Sequence, residues 1–322
     1  MTDEDFRKLL GAVGNLTQSQ LVALDAAVRN ELCAAAAWQA DGCASISEIE
    51  AQFAAEPSCP HCQSAKTSKW GSASGLKRYR CNACKKTFNA LTGTPLAQLH
   101  KRELWSGHAQ ALVEGISLRK VASRLDICLE TAFRWRHRFL QAPKALKAKE
   151  LDGAVEADET YFRRSEKGSR KLTRPPRKRG SRAKKRGTSD EQIPVLVARS
   201  RNNDATADEI MADSSARSIA AALEPAIAKS AILVSDGAKA YGTFASKAGL
   251  AHVALNIAAG ERVRGIYHVQ NVNSYASRLK GWMARFRGVA TKYLDSYLGW
   301  YRANDREGDQ LCASYMLHVA WG

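Results

Sequence analysis

Residues 155–162 read VEADETYF, a run whose apolar, β-branched and aromatic residues predict a strand although it carries three acids. With a side-chain period of two, Glu156, Asp158 and Thr160 share one face and Glu159 points to the other. Two more strand-like runs follow, Ile193–Ser200 and Ala231–Ser235, the second leading into Asp236-Gly237. Helical patterns lie at Ser215–Lys229 and from Asn271 to about Phe286. Strands alternating with crossover helices predict a mixed α/β domain over residues 150–310, and no internal repeat is apparent.

Between the first two strands lies a basic insert, residues 163–188. Arg163–Arg186 holds 13 Lys or Arg against the single acid Glu166, with Pro175-Pro176 breaking any helix. Such a run cannot pack against itself, so it is a solvated loop or an arm on phosphates. The charge of the whole chain, +17 over 322 residues, favours the arm, with Lys178, Lys184 and Lys185 as DNA contacts. A composition 45% hydrophobic and 25% charged is that of a globular protein and excludes wholesale disorder. The longest near-apolar patch, Cys33–Trp38, is far shorter than a membrane span, and the start, Met1-Thr-Asp-Glu-Asp, is no secretory leader. The expectation is therefore a cytoplasmic protein with reduced thiols, without membrane contact, whose partner is nucleic acid.

Upstream, residues 1–55 form a helical lead-in, with Leu21, Leu24, Ala27, Val28 and Leu32 at helical spacing. Residues 56–99 carry Cys59-Pro-His-Cys62 and Cys81-Asn-Ala-Cys84, two CxxC knuckles 18 residues apart. The interval suits a hairpin that closes four thiolates on one ion, which predicts a zinc ribbon with a closed, structural Zn²⁺ site. His61 could replace a thiolate, but four sulfurs suffice. Cys33, Cys43, Cys128 and Cys312 have no partner at such spacing and read as small buried residues.

Residues 100–145 are helical again, and 115–141 reads GISLRKVASRLDICLETAFRWRHRFLQ. Ser117 can cap one helix with Val121, Ala122 and Leu125 inward, Asp126–Cys128 can turn, and a second helix presents Arg134, Arg136 and Arg138. This fits a helix-turn-helix whose second helix reads the major groove, the plainer alternative being a helical hairpin without that role.

The acids of the α/β part carry the chemistry. Asp158 and Asp236 come from separate core strands and can share divalent ions, as two-metal phosphoryl transfer requires. A third position opens the last predicted helix: Asn273, followed seven residues later by Lys280 on the same face. An amide oxygen can ligate Mg²⁺ without adding charge, and Lys280 can meet a phosphate; Glu261 is a fallback third ligand.

On these residues the chain resembles an insertion-sequence transposase of the DDE superfamily, in the group with an N-terminal zinc ribbon and Asn as third residue. The resemblance covers about residues 56–302. It rests on the cysteine quartet with CNACKKTFNALTGTPLAQLHK (81–101), on DET (158–160), on SDGAKAYG (235–242) and on HVQNVNSYASRLKGWMARFRGVATKYLDSYLGWYR (268–302). It implies a multidomain α+β protein in which zinc ribbon and helix-turn-helix precede an RNase H-like α/β catalytic domain with a mixed sheet. It further implies Asp158, Asp236 and Asn273 on Mg²⁺ or Mn²⁺, with Lys280 completing the set. The partners it implies are the element's terminal inverted repeats and target DNA, with at least a dimer assembled on them in a bacterial nucleoid. Two other readings are open at this point. One is a non-enzymatic DNA-binding regulator derived from a transposase with a silent core. The other is a recombinase with a covalent nucleophile, for which Tyr293, Tyr297 and Tyr301 stand in helical register.

Overall fold

The computed structural model describes residues 3–17, 20, 21, 24, 42–176, 178, 183, 189–308 and 311–321. Ala27, Val28, Leu32, the patch Cys33–Trp38, Lys184 and Lys185 lie outside the described residues. The chain divides into two compact units, Met1–Trp135 with Cys312–Trp321, and Arg136–Leu311. Among the described residues no helix is long and apolar enough to cross a membrane.

The first unit opens with α1 (Asp3–Val13) and α2 (Gly42–Ala55), followed by the antiparallel sheet β1 (Thr67–Ala73), β2 (Leu76–Cys81) and β3 (Thr87–Phe88). Ser74 (φ 51°) and Gly75 (φ 73°) turn β1 into β2 with both residues left-handed, the geometry that matches strand twist in a two-residue hairpin. Phe53 of α2 meets Tyr79 edge-on at 5.4 Å, and Tyr79 stacks on Phe88 at 5.8 Å, giving this small sheet its apolar underside. Helices α3 (Trp105–Val113), α4 (Leu118–Arg124) and α5 (Leu129–Phe139, whose last turn belongs to the second unit) come next. The C-terminal helix Ala313–Trp321 returns to this unit, where Trp321 Nε1 donates to Ala90 O at 2.8 Å.

Two thiols depart from expectation here. Cys128 and Cys312 are exposed, not buried. Each precedes a helix and its sulfur accepts an N–H from the first turn, from Thr131 and Tyr315 respectively, both at 3.4 Å. They take the position of an N-cap residue, which has to face the helix end rather than the core.

The second unit holds α6 (Gln141–Ala145), β4 (Ala154–Arg163), β5 (Gln192–Ser200), β6 (Thr206–Ile210), α7 (Ala216–Leu223), β7 (Ile232–Ser235), α8 (Lys239–Ala248) and β8 (Ala251–Ala254). The small hairpin β9 (Val263–Arg264) and β10 (Tyr267–His268) then leads into α9 (Gln270–Ala284) and α10 (Leu294–Glu307). The sheet order is β6-β5-β4-β7-β8, with β5 antiparallel to both its neighbours and β7 and β8 parallel to β4. The sheet is thus mixed, as read from the sequence. Helix α7 ends at Leu223, short of the expected Lys229: Glu224 is still helical (φ −50°, ψ −40°), but Pro225 has no N–H to continue the ladder.

One sheet face is apolar: Val155, Ala157, Leu196, Ala198 and Leu233 pack with Ile219 and Leu223 of α7 and with Tyr241 and Phe244 of α8. The other face is charged and lies toward α9 and α10. There Asp208 on β6 is fully buried, bound by the Arg302 guanidinium and by the Tyr275 hydroxyl at 2.9 Å. Arg302 also donates to the carbonyls of Leu146 (2.9 Å) and Lys144 (3.2 Å), fixing α10 to the α6 end. Close approach there needs Gly299, where a Cβ would lie 2.6 Å from Lys144 Cα. Asp208→Ala would leave Arg302 buried without its counter-charge. Urea unfolding followed by tryptophan fluorescence should show a loss of about 3–5 kcal/mol, and a change below about 1 kcal/mol would contradict this account.

Candidate functional site

The cysteine quartet comes together at the base of the β1–β2 hairpin. Both knuckles turn identically: Gln63 (φ 59°) and Lys85 (φ 62°) follow the second Cys of each pair in left-handed geometry. Gln63 N donates to Cys59 O at 2.7 Å and Lys85 N to Cys81 O at 3.0 Å. The sulfurs of Cys59 and Cys84 are 3.6 Å apart, as are those of Cys62 and Cys81, and all four lie within 4.8 Å of one another. A Zn²⁺ tetrahedron with sulfur at about 2.3 Å needs sulfurs about 3.8 Å apart, so the set can hold that ion. The Cys84 N–H reaches Cys81 Sγ at 3.4 Å and favours its thiolate, pulling the thiol down to about 6.

The acids Asp158 and Asp236 meet through strand register. β7 runs parallel to β4 with Ala154 beside Ile232, Val155 beside Leu233 and Glu156 beside Val234. β7 ends at Ser235, so Asp236 stands just past the paired residues, near enough for its carboxylate to act on that of Asp158. Past Ser235 the chain turns at once: Asp236 Oδ1 accepts the Ala238 N–H at 3.1 Å, and Gly237 adopts φ +84°. A Cβ at Gly237 would stand 3.0 Å from Leu255 O, so this turn requires glycine. Burial, and then the Asp236 carboxylate, push the Asp158 carboxyl up to about 6, against the Glu159 N–H (2.8 Å) and the Lys280 ammonium. Glu159, on the opposite face, is pushed up to about 7 by burial and by the same two acids.

Asn273 stands exposed on the first turn of α9, and Lys280 is exposed two turns on. What sets that helix against β4 is Glu156, two residues before Asp158 on the same face and fully buried. Its Oε2 accepts the backbone N–H groups of Asn271 (2.8 Å) and Val272 (3.1 Å), and its Oε1 accepts Asn271 Nδ2 at 3.0 Å and Arg201 Nε at 2.6 Å. The fallback ligand Glu261 is engaged elsewhere. Arg264 binds both its oxygens at 2.7 Å and Asn256 N donates at 3.1 Å, holding its carboxyl down to about 2.

Against this geometry, residues 150–304 match the family model of the ISXO2-like transposase domain. Over 244 residues the chain is 30% identical to a protein of Halobacterium salinarum described as an uncharacterized protein in transposable element ISH50, covering 74% of this chain and 82% of that relative. The chain belongs to the insertion-sequence transposases.

In this transposase the matched domain contains the acid pair, Asn273 and Lys280, together with all five strands of the mixed sheet. The expected DNA-contacting arginines fare differently. Arg134 is exposed and Arg138 half-buried, but Arg136 is 1% exposed, its guanidinium 5.1 Å from the Trp300 ring centre. Three helical cations in five residues cannot all face one groove; the i+2 position turns inward and Arg136 packs as a cation over an aromatic ring. Lys178 is exposed, while Lys184 and Lys185 lie outside the described residues. The root of the basic insert is docked, not free: Lys167 Nζ donates to the carbonyls of Phe286 (3.3 Å), Arg287 (3.4 Å) and Gly288 (2.7 Å) at the end of α9. A cavity of about 390 Å³ opens there, lined by Arg163, Arg164, Arg174 and Lys280 with Phe162 and Met283. Tyr297 is buried against Trp282 and Phe286 and Tyr301 against Trp282, so these two serve packing, while Tyr293 is half-buried and stacks on His137 at 4.0 Å.

Glu156 is the residue that sequence reasoning undervalued. Its shared face with Asp158 was legible, but its partners, 45 and 115 residues away, were not. For the cysteine centre, metal analysis of the purified protein should find about one zinc per chain. Cys81→Ser should reduce that to a small fraction and lower the melting temperature of the first unit, whereas unchanged zinc content would exclude the quartet as the site.

Proposed function

We propose that this transposase cuts the ends of its own element and joins them to target DNA by metal-assisted phosphoryl transfer. Asp158, Asp236 and Asn273 hold the catalytic Mg²⁺ or Mn²⁺, and Lys280 contacts the scissile or an adjacent phosphate. The observation that carries this reading is the parallel pairing of the neighbouring central strands β4 and β7, which supports bringing Asp158 and Asp236 together, the Asp236 carboxylate acting on that of Asp158. The strand order, with the second strand alone antiparallel, supports an RNase H-like core.

The donor set fits the ion class. All three side chains offer hard oxygen atoms, which suit Mg²⁺ or Mn²⁺ rather than a softer metal. The Asp158 carboxyl is held up toward 6 by burial and by Asp236, an environment in which a bound cation would favour its ionised form. Bound there, divalent ions would activate the attacking water or 3′-hydroxyl and stabilise the leaving oxygen. The chain's own contribution is placement. Gly237 lets Asp236 stand at the strand tip, Asn273 adds a neutral oxygen, and Lys280 brings a cation to the phosphate.

DNA is held by the parts with exposed positive charge. Lys66, Lys69, Lys77, Arg78, Lys85 and Lys86 stud the ribbon, and Arg80 lies over the half-exposed Trp70 at 4.6 Å. The pair α4–α5 acts as a helix-turn-helix, with Arg134 and Arg138 toward the groove and Asp126 (φ 49°) in its turn. Ribbon, helix pair and catalytic core correspond to residues 56–99, 100–145 and 150–310. Two ends are cut and joined together, so the working assembly is at least a dimer on DNA.

Strand cleavage and joining are measured on DNA carrying the element's ends, with Mg²⁺ or Mn²⁺. Losing one carboxylate ligand removes several kcal/mol of charge stabilisation, so Asp158→Ala and Asp236→Ala should each lower the rate by about 10³-fold. Lys280→Ala should cost about 10- to 100-fold. Undiminished joining by Asp236→Ala would remove the mechanism, and specific binding by the wild type without cleavage in either metal would favour the silent-core regulator.

A further inference from the structure

We propose that Glu156 is the positioning residue of the site: its buried carboxylate clamps the N-terminus of α9, and so sets the axial position and rotation at which Asn273 and Lys280 face Asp158. This inference rests on the reading of the site under Proposed function and adds to it a residue that contacts neither metal nor phosphate.

The first N–H groups of any helix lack partners within the helix, and a carboxylate there is favoured by both hydrogen bonding and the helix dipole. Such acceptors usually come from the residue just before the helix, but α9 receives no side-chain cap from Val269 at that position. His268 Nδ1 accepts the Gln270 N–H at 3.3 Å, and the acceptor for the next two comes from a strand 115 residues earlier, through Asn271 N (2.8 Å) and Val272 N (3.1 Å) on one carboxylate oxygen. Asn271 adds its Nδ2 to the other oxygen at 3.0 Å. Three donors from two consecutive residues fix both the helix position and its rotation. A slip of one residue rotates an α-helix by about 100°, which would turn both Asn273 and Lys280 away from the direction they now face.

The clamp is itself braced. Arg201, next to the end of β5, donates Nε to Glu156 Oε1 at 2.6 Å, and its other nitrogens reach Ile266 O (2.5 Å) and His268 O (2.9 Å). These two carbonyls belong to the β9–β10 hairpin segment that delivers the chain into α9. Glu156 has no solvent exposure, and its charge is answered by Arg201 and the helix N–H groups together. Because Glu156 and Asp158 share a strand face at a spacing of two residues, any motion of the clamp moves the third ligand relative to the first. Outer groups that orient metal ligands typically change metal affinity 10- to 100-fold when altered.

The test uses the full-length, zinc-loaded protein without DNA, and the probe is Mn²⁺, followed by calorimetric titration and by its electron spin resonance signal. Wild type should bind Mn²⁺ at a site that Asp158→Ala abolishes. Glu156→Gln turns an amide NH₂ toward N–H donors in either orientation, and should weaken Mn²⁺ binding at least tenfold while circular dichroism stays native. On end-containing DNA the same variant should need correspondingly more Mn²⁺ for half-maximal cleavage, and recover most of the wild-type rate at saturation. Asn271→Ala removes one of the three helix donors and leaves the strand intact; it should weaken Mn²⁺ binding a few-fold, and it carries the test if Glu156→Gln does not fold. Wild-type Mn²⁺ affinity in a folded Glu156→Gln, or in Asn271→Ala where the first variant fails to fold, overturns the positioning role alone. Mn²⁺ binding unaffected by Asp158→Ala overturns the reading of the site and the clamp with it.

Discussion

The constraint on which the proposed site depends is the nearness of two carboxylates carried by a parallel pair of strands. β4 and β7 run in one direction, with a constant offset over their paired residues, and Asp236 follows the last residue of β7 close enough to act on Asp158. At about 5 Å and an effective dielectric of about 20, two such charges repel by on the order of 3 kcal/mol. A surface ion pair contributes less than about 1 kcal/mol, so ordinary surface compensation does not offset that repulsion. The Lys280 ammonium relieves part of it, and the Asp158 carboxyl is raised by burial first and by Asp236 second. A divalent cation is the species that would reverse the sign of the interaction.

The sheet is built to tolerate that arrangement. Its α7–α8 face is a conventional apolar core, so the strands are held without help from the charged side. The opposite face buries acidic side chains in two places, each with its partners supplied. Asp208 is met by Arg302 and Tyr275, and Glu156 by Arg201 and the start of α9. Both arrangements pin one of the two helices on that face. Buried charge that loses a partner is costly, which makes these contacts determinants of geometry even where they add little net stability.

How far the sequence revealed this varied with the range of the interactions. The strands carrying Asp158 and Asp236 and the helix carrying Asn273 were legible, because each has strong local periodicity or a turn signal such as Asp236-Gly237. β6 and β8 escaped notice. β6 contains Asp208-Glu209, polar for a strand until Arg302 is brought to it, and β8 is four residues long. The spacing of the cysteines told the whole story of their cluster, since a CxxC knuckle is a local device. Exposed Cys128 and Cys312, buried Arg136 and the clamp at Glu156 were misjudged or undervalued for one reason: burial of a single polar side chain is decided by partners distant in sequence.

The most direct measurement of the central claim is a crystal structure of the protein grown with Mn²⁺, with the ion located by anomalous scattering. The account predicts manganese density bridging the Asp158 and Asp236 carboxylates, with the Asn273 amide oxygen in its coordination shell. Manganese bound elsewhere, or carboxylates at positions 158 and 236 too far apart to share an ion, would contradict it.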